Sequence, residues 1–131
     1  MITIYRSDCR DDEFYKFMGR FFASLDIAKE LEQQIYDKKN TTWYIFTKKK
    51  NVKGFVSVCE KNTHYFIDNL YVLPEYRNMN IANQFISHIV NDFTDKPLKC
   101  IACNPLALRI FNNHGFVEVG KNGKYKKLCK H

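Results

Sequence analysis

Between residues 65 and 103 the hydrophobic period of the chain changes twice, and this restricts the fold more than any other feature. Tyr65 to Leu73 is rich in β-branched and aromatic residues, as strands are. From Ile81 the apolar positions Ala82, Phe85, Ile86, Ile89, Val90 and Phe93 recur at helical spacing, and Leu98 to Cys103 reads again as a buried strand. Strand, helix and strand in this order form a crossover unit whose two strands lie parallel. The unit sets a helix N-terminus beside a strand C-terminus, where ligands bind in open α/β sheets.

The other elements are read around this unit. Residues 2–5 alternate as a short strand. After Asp11, the residues Phe14, Phe17, Met18, Phe21 and Phe22 form one helical face. A second helix follows, with Ile27, Ala28, Leu31 and Ile35 on its apolar stripe and Lys29, Glu30, Glu32 and Gln33 on the other. Trp43 to Thr47, Val52 to Cys59 and Tyr65 to Leu73 read as an antiparallel meander joined by short lysine- and asparagine-bearing turns. Asn104-Pro105 supplies an N-cap and a proline at the first helical position, and Gly115 stands where that helix stops. Phe116 to Val119 and Lys124 to Leu128 flank Asn122-Gly123, a strong hairpin signal.

A chain of 131 residues without repeats or linkers is expected to be one domain, residues 1–131. Its 11 phenylalanines and 8 tyrosines exclude a disordered polymer. No apolar run approaches the roughly 20 residues that span a bilayer, and the start, Met1 to Arg6, has no basic region followed by an apolar stretch. Five cysteines without regular spacing suit a reducing compartment, so a soluble cytoplasmic protein without membrane contact is expected. The net charge of +7 gathers toward the C-terminus. There Lys121, Lys124, Lys126, Lys127 and Lys130 fall in a stretch free of carboxylates, which either solubilises the chain or attracts an anionic ligand, nucleic acid included.

The most informative segment joins the strand of the crossover to its helix: Leu70-Tyr71-Val72-Leu73-Pro74-Glu75-Tyr76-Arg77-Asn78-Met79-Asn80-Ile81-Ala82. Main-chain N–H groups in such a turn, with an arginine beside them, suit an anion such as a pyrophosphate. The segment resembles the acyl-CoA-binding motif of the GNAT N-acetyltransferases, an apolar-x-Val-x-Pro-x-Tyr-Arg run followed by Arg/Gln-x-x-Gly-x-Gly/Ala. Val72, Pro74, Tyr76, Arg77 and Ala82 match, and Asn80 stands where the family usually has glycine. Asparagine is the non-glycine residue that best tolerates positive φ. A second resemblance lies downstream in Asn104, Ala107, Ile110, Gly115 and Phe116, with Phe111 in the place of a family tyrosine.

The resemblance implies a GNAT fold of the α/β (α+β) class. This is a mixed, mostly antiparallel sheet of about seven strands with four helices, in the order β-α-α-β-β-β-α-β-α-β-β. It also implies acetyl-CoA (coenzyme A) or a related acyl-CoA in a V-shaped split between the fourth and fifth strands. By carry-over, the main chain at Leu70, Tyr71 and Val72 would pair with the pantetheine. The amides of Asn78, Met79, Asn80, Ile81, Ala82 and Asn83 would hold the pyrophosphate, and Arg77 would add charge. Asn104 and Phe111 would lie along the cofactor arm.

An ammonium has no lone pair with which to attack a thioester, so amine acetylation needs a base or a proton wire. Asp68 is the ionisable candidate on the fourth strand, and by strict alternation it shares a face with Leu70 and Val72. Lys99 falls where some family members carry glutamate. Phe111 offers no proton to the departing thiolate, which leaves Tyr71 and Tyr125 as candidate donors or as packed aromatics. Cys100 and Cys103 point to opposite faces of a strand, and neither they nor the scattered histidines have metal-ligand spacing, so no metal site is read. Cys103 is a candidate acyl acceptor.

Three functions compete. The first is an N-acetyltransferase acting by direct attack on a primary amine. In this family the acceptor pocket is lined by the joint between the first two helices and by the last hairpin, here Phe21 to Leu25 and Val119 to Lys126. Lysines on that hairpin suit an acidic or nucleic-acid-linked acceptor. The second is a catalytically impaired acyl-CoA-binding module, suggested by Phe111, Lys99 and Asn80. The third is an RNA-interacting protein using Lys121 to Lys130. Monomer and homodimer are both open.

Overall fold

The computed structural model describes residues 1–7 and 10–131. Its elements are β1 (Ile2–Tyr5), α1 (Asp12–Phe22), α2 (Leu25–Leu31), β2 (Thr41–Lys48), β3 (Asn51–Glu60) and β4 (Tyr65–Val72), then a 3-10 turn at Pro74–Tyr76. They continue with α3 (Ile81–Asp92), β5 (Leu98–Ala102), α4 (Pro105–Asn113), β6 (Val117–Asn122) and β7 (Tyr125–Lys130). The seven strands form one sheet in the order β1-β2-β3-β4-β5-β7-β6. Every neighbouring pair is antiparallel except β4 and β5, which the crossover through α3 makes parallel. This is the mixed seven-stranded sheet with four helices that the sequence leads one to expect.

Apolar cores lie on both faces of the sheet. Phe14, Met18 and Phe21 of α1 pack on Trp43, Ile45 and Phe55, while Phe85, Ile86 and Ile89 of α3 pack on Tyr44, Val56, Val58 and Leu128. Side chains start the helices: Asp11 Oδ1 accepts from Phe14 N–H at 2.9 Å, Ser24 Oγ from Ile27 N–H at 3.2 Å and Asn104 Oδ1 from Ala107 N–H at 2.8 Å. Gly123 turns the last hairpin at φ +62. Among the described residues, Cys59, Cys100, Cys103 and Cys129 are free thiols. No helix among them is long and apolar enough to cross a membrane.

One boundary differs from the sequence reading. The apolar stripe runs to Ile35, but α2 ends at Leu31 with Glu32 in the left-handed region at φ 58. Glu32 N–H donates to the Lys29 carbonyl at 3.2 Å and Gln33 N–H to the Ala28 carbonyl at 3.0 Å, the paired bonds of a Schellman motif. Ile35 still reaches the core, from irregular chain rather than from a helix.

Candidate active site

The site begins where two strands part. β4 and β5 pair only at Tyr65–Leu98 and Phe66–Lys99, after which β4 continues to Val72 with β3 alone. A bulge marks the divergence: between the pairs Ser57–Asp68 and Phe55–Tyr71, two residues of β4, Asn69 and Leu70, face one residue of β3. Asn69 takes φ +56, and a bulge of this kind bends its strand. The result is a cleft of about 500 Å³ between the β4 and β5 sides, floored by Leu70, Tyr71 and Val72 and walled by Ala107, Ile110 and Phe111 of α4. Leu73 N–H donates to the Lys53 carbonyl at 2.8 Å, so by antiparallel alternation the peptide groups of Val72 point away from β3, into the gap. The Val72 carbonyl accepts from Arg77 Nε at 2.8 Å. Its N–H is left for an extended amide-bearing ligand.

At the upper end of the cleft the 3-10 turn leads into α3, whose N-cap Asn80 sits at φ 63 with no side-chain capping bond. The first hydrogen bond of α3 runs from Gln84 N–H to the Asn80 carbonyl, so the N–H groups of Ile81, Ala82 and Asn83 have no partner within the helix. They make an anion cradle of the kind a pyrophosphate needs. Asn80 Oδ1 accepts from Asn83 Nδ2 at 2.8 Å, which folds the side chain back onto the helix. Asn80→Gly is therefore expected to keep the coenzyme A Kd within about threefold, whereas Asn80→Val should weaken it by about tenfold or more, because left-handed backbone costs a branched residue roughly 1–2 kcal/mol. Calorimetric titration of coenzyme A into both variants checks this.

The bulge also decides where Asp68 points. Strict alternation puts Asp68 with Leu70 and Val72, and the structure corrects this: Asp68 lies opposite Ser57 and Trp43, on the α1–α2 face, with Tyr71. The extra residue at Asn69 shifts the alternation by one. Asp68 Oδ1 accepts from Gln33 Nε2 at 2.7 Å and from Asn69 N–H at 2.9 Å, while Oδ2 has no protein donor among the described residues. Gln33 Nε2 also donates to Asn69 Oδ1 at 2.6 Å, Asn69 Nδ2 to Ser57 Oγ at 3.1 Å and Ser57 Oγ to the Asp68 carbonyl at 3.1 Å. The network thus fixes one carboxylate oxygen.

Linked to Asp68 through Gln33, the end of α2 and the last hairpin also border the cleft. Tyr125 Oη donates to Glu32 Oε2 at 2.9 Å, and Lys124 Nζ lies 2.5 Å from Glu32 Oε1. These bonds hold the Glu32 carboxyl below its usual range. The bond to Glu32 raises the Tyr125 phenol, so it keeps its proton at neutral pH. The Tyr71 phenol is raised by burial and then by Glu30. The Tyr71 ring packs on Phe55 at 5.6 Å, under the Arg77 guanidinium at 5.4 Å.

Asp68, Leu70, Tyr71, Val72, Arg77, Ala82, Asn104, Phe111 and Tyr125 all border this one cleft. Asn78, Met79, Asn80, Ile81 and Asn83 do not line it; Asn78, Met79 and Asn80 form an exposed loop, and Ile81 turns its side chain into the core. Ala82 is the residue of the α3 N-terminus that lines the cleft, while Asn80 and Asn83 line a separate, smaller pocket with His88 and His114. Arg77 gives its charge to Glu30 at 2.7 Å. Asn104 Oδ1 is taken by its capping bond. Phe111 is buried against Phe116. Lys99 sits at the closed end, exposed and outside the cleft. Cys103 borders the cleft, whereas burial drives the Cys100 thiol up and leaves it inert. Of the expected acceptor walls, Asn122 and Tyr125 line the cleft, but Phe21 and Phe22 pack inward on Phe55 and Trp43.

The sequence reading placed Glu30, Glu32 and Gln33 on a solvated stripe, yet all three border the cleft. Asn69 carried a signal that was there to be used, because asparagine inside an apolar strand suits a left-handed bulge.

The family model described as an acetyltransferase (GNAT) domain matches residues 5–131. A comparison with curated proteins finds no match. Among solved structures, an acyl-CoA N-acyltransferase from Pseudomonas aeruginosa superposes with a TM-score of 0.81 at 10% identity, covering 100% of this chain and 99% of that one. Escherichia coli ElaA gives a TM-score of 0.80 at 10% identity with the same coverage. A GNAT family acetyltransferase from Elizabethkingia anophelis with acetyl-CoA bound gives 0.64 at 15% identity, covering 99% of this chain and 97% of that one.

Proposed function

This chain belongs to the GNAT acetyltransferase family, whose members use acetyl-CoA, and we propose that it moves the acetyl group by direct attack of a primary amine, with Asp68 as the base. The observation that carries this reading is the parting of β4 from β5 after Phe66–Lys99, which opens the cleft beside Asp68. The residues present suit the cofactor. The Val72 N–H faces the gap, and the amides of Ile81, Ala82 and Asn83, without partners in the helix, lie at the N-terminus of α3, where Ala82 lines the cleft. Acetyl-CoA, when bound, supplies an acyl carbon carried on a thiol leaving group.

Asp68 Oδ2 accepts the proton that the acceptor ammonium must lose, while Gln33 and the Asn69 amide hold Oδ1 in place. Tyr125, protonated and bordering the same cleft, is the proton donor, in the role Phe111 cannot fill. A thiol of pKa ~8.5 needs little help to leave, so this donor contributes less than the base does.

Glu30, Glu32 and Asp68 bring three carboxylates to the cleft against the two cations Arg77 and Lys127, and Lys124 of the basic hairpin is paired with Glu32. Both features support a cationic amine acceptor over the acidic one that the lysine-rich stretch suggests. Purified protein incubated with acetyl-CoA and a panel of primary amines is expected to release free thiol with the cationic alkylamines. Coenzyme A binding without turnover of any amine would instead favour the binding module.

A further inference from the structure

The cleft border at Glu32 already carries an ammonium group. Both oxygens of Glu32 are engaged by the last hairpin, Oε1 by Lys124 Nζ and Oε2 by Tyr125 Oη. Glu32 reaches this point because the left-handed end of α2 turns it off the helix. The next residue, Gln33, bonds Asp68. Two consecutive residues therefore tie the hairpin to the base, and Glu32, Asp68 and Tyr125 share one cleft. Lys124 itself is not part of the lining and is 58% exposed. A pair between such exposed partners is weakly held, so a second ammonium of the same charge competes with it on near-equal terms.

We infer that Glu32 is the subsite for a second positive charge on the acceptor, and that Lys124 occupies it in the free protein as a tethered stand-in. This rests on the proposed amine transfer, with the reacting nitrogen at Asp68. The acceptor class it names is an alkyl diammonium, one end at Asp68 and the other displacing Lys124 from Glu32. Tyr125 stays on Oε2 while the cations exchange, before its proton is drawn on by the departing thiolate, and keeps the carboxylate aimed at the cleft.

The test is the ratio of kcat/KM for 1,4-diaminobutane to that for butylamine, measured with acetyl-CoA in the full chain and in Glu32→Gln, Lys124→Met and the double variant. Both side chains are exposed, so the core is untouched by these changes. The ratio is expected to fall about fivefold in Glu32→Gln and to rise about threefold in Lys124→Met, the size of a partly exposed ion pair. The double variant should match Glu32→Gln alone, because Lys124 acts only by occupying Glu32. An unchanged ratio in Glu32→Gln, or independent effects that multiply in the double variant, overturns the subsite and leaves amine transfer standing. Turnover of other primary amines but of neither probe does the same. No turnover with any amine removes the underlying reading as well.

Discussion

Asp68→Asn is expected to lower kcat for amine acetylation at neutral pH by about 10²–10³-fold, within the roughly 10²–10⁴-fold that a positioned general base contributes. An alkylammonium with a pKa near ~10.4 is almost wholly protonated at pH 7, so the reaction there depends on a group that removes the proton inside the cleft. Asparagine keeps an oxygen for Gln33 Nε2 and the Asn69 amide, so the bulge and the cleft should persist. It no longer accepts a proton. The deficit should therefore shrink as pH approaches 10, where free amine becomes abundant without help. A pH–rate profile from 7 to 10, with coenzyme A affinity measured alongside, separates a missing base from a damaged site. A variant turning over at the parental rate at pH 7 would remove Asp68 from the mechanism.

The elements that were readable from the sequence are those fixed by local chemistry. Asn104-Pro105 starts α4 through a bond three residues away, and Gly123 closes its hairpin with its own φ. The parallel pair follows from chain order alone. What could not be read depends on distant partners. Glu32 holds a left-handed conformation that glycine would normally mark, and the contacts that reward it come from Lys124 and Tyr125, 92 and 93 residues away. Without them, a helix continuing to Ile35 is the better local choice. The face of Asp68 departs from simple alternation for a related reason: alternation holds only while the ladder is regular, and Asn69 interrupts it. The cleft was thus visible in outline as a crossover with a Pro-x-Tyr-Arg loop, while its acidic border was not.

Because that interruption both opens the cleft and aims the base, its loss should be costly. Asn69→Val is expected to destabilise the fold by about 2–4 kcal/mol, from left-handed strain of roughly 1–2 kcal/mol and the lost side-chain hydrogen bonds to Ser57 and Gln33, together about 1–2 kcal/mol. Asn69→Gly loses the same side-chain bonds but accepts the backbone conformation, and should cost about 1–2 kcal/mol. The gap between the two variants, read from urea denaturation midpoints with matched slopes, isolates the contribution of the bulge itself. Valine favours regular pairing, and restoring one residue of register would carry Asp68 to the opposite face, away from Gln33. Amine turnover by the folded fraction should accordingly fall much further in Asn69→Val than in Asn69→Gly. Equal stabilities for the two would mean that the side-chain network, not the left-handed bulge, holds β4 in its bent course.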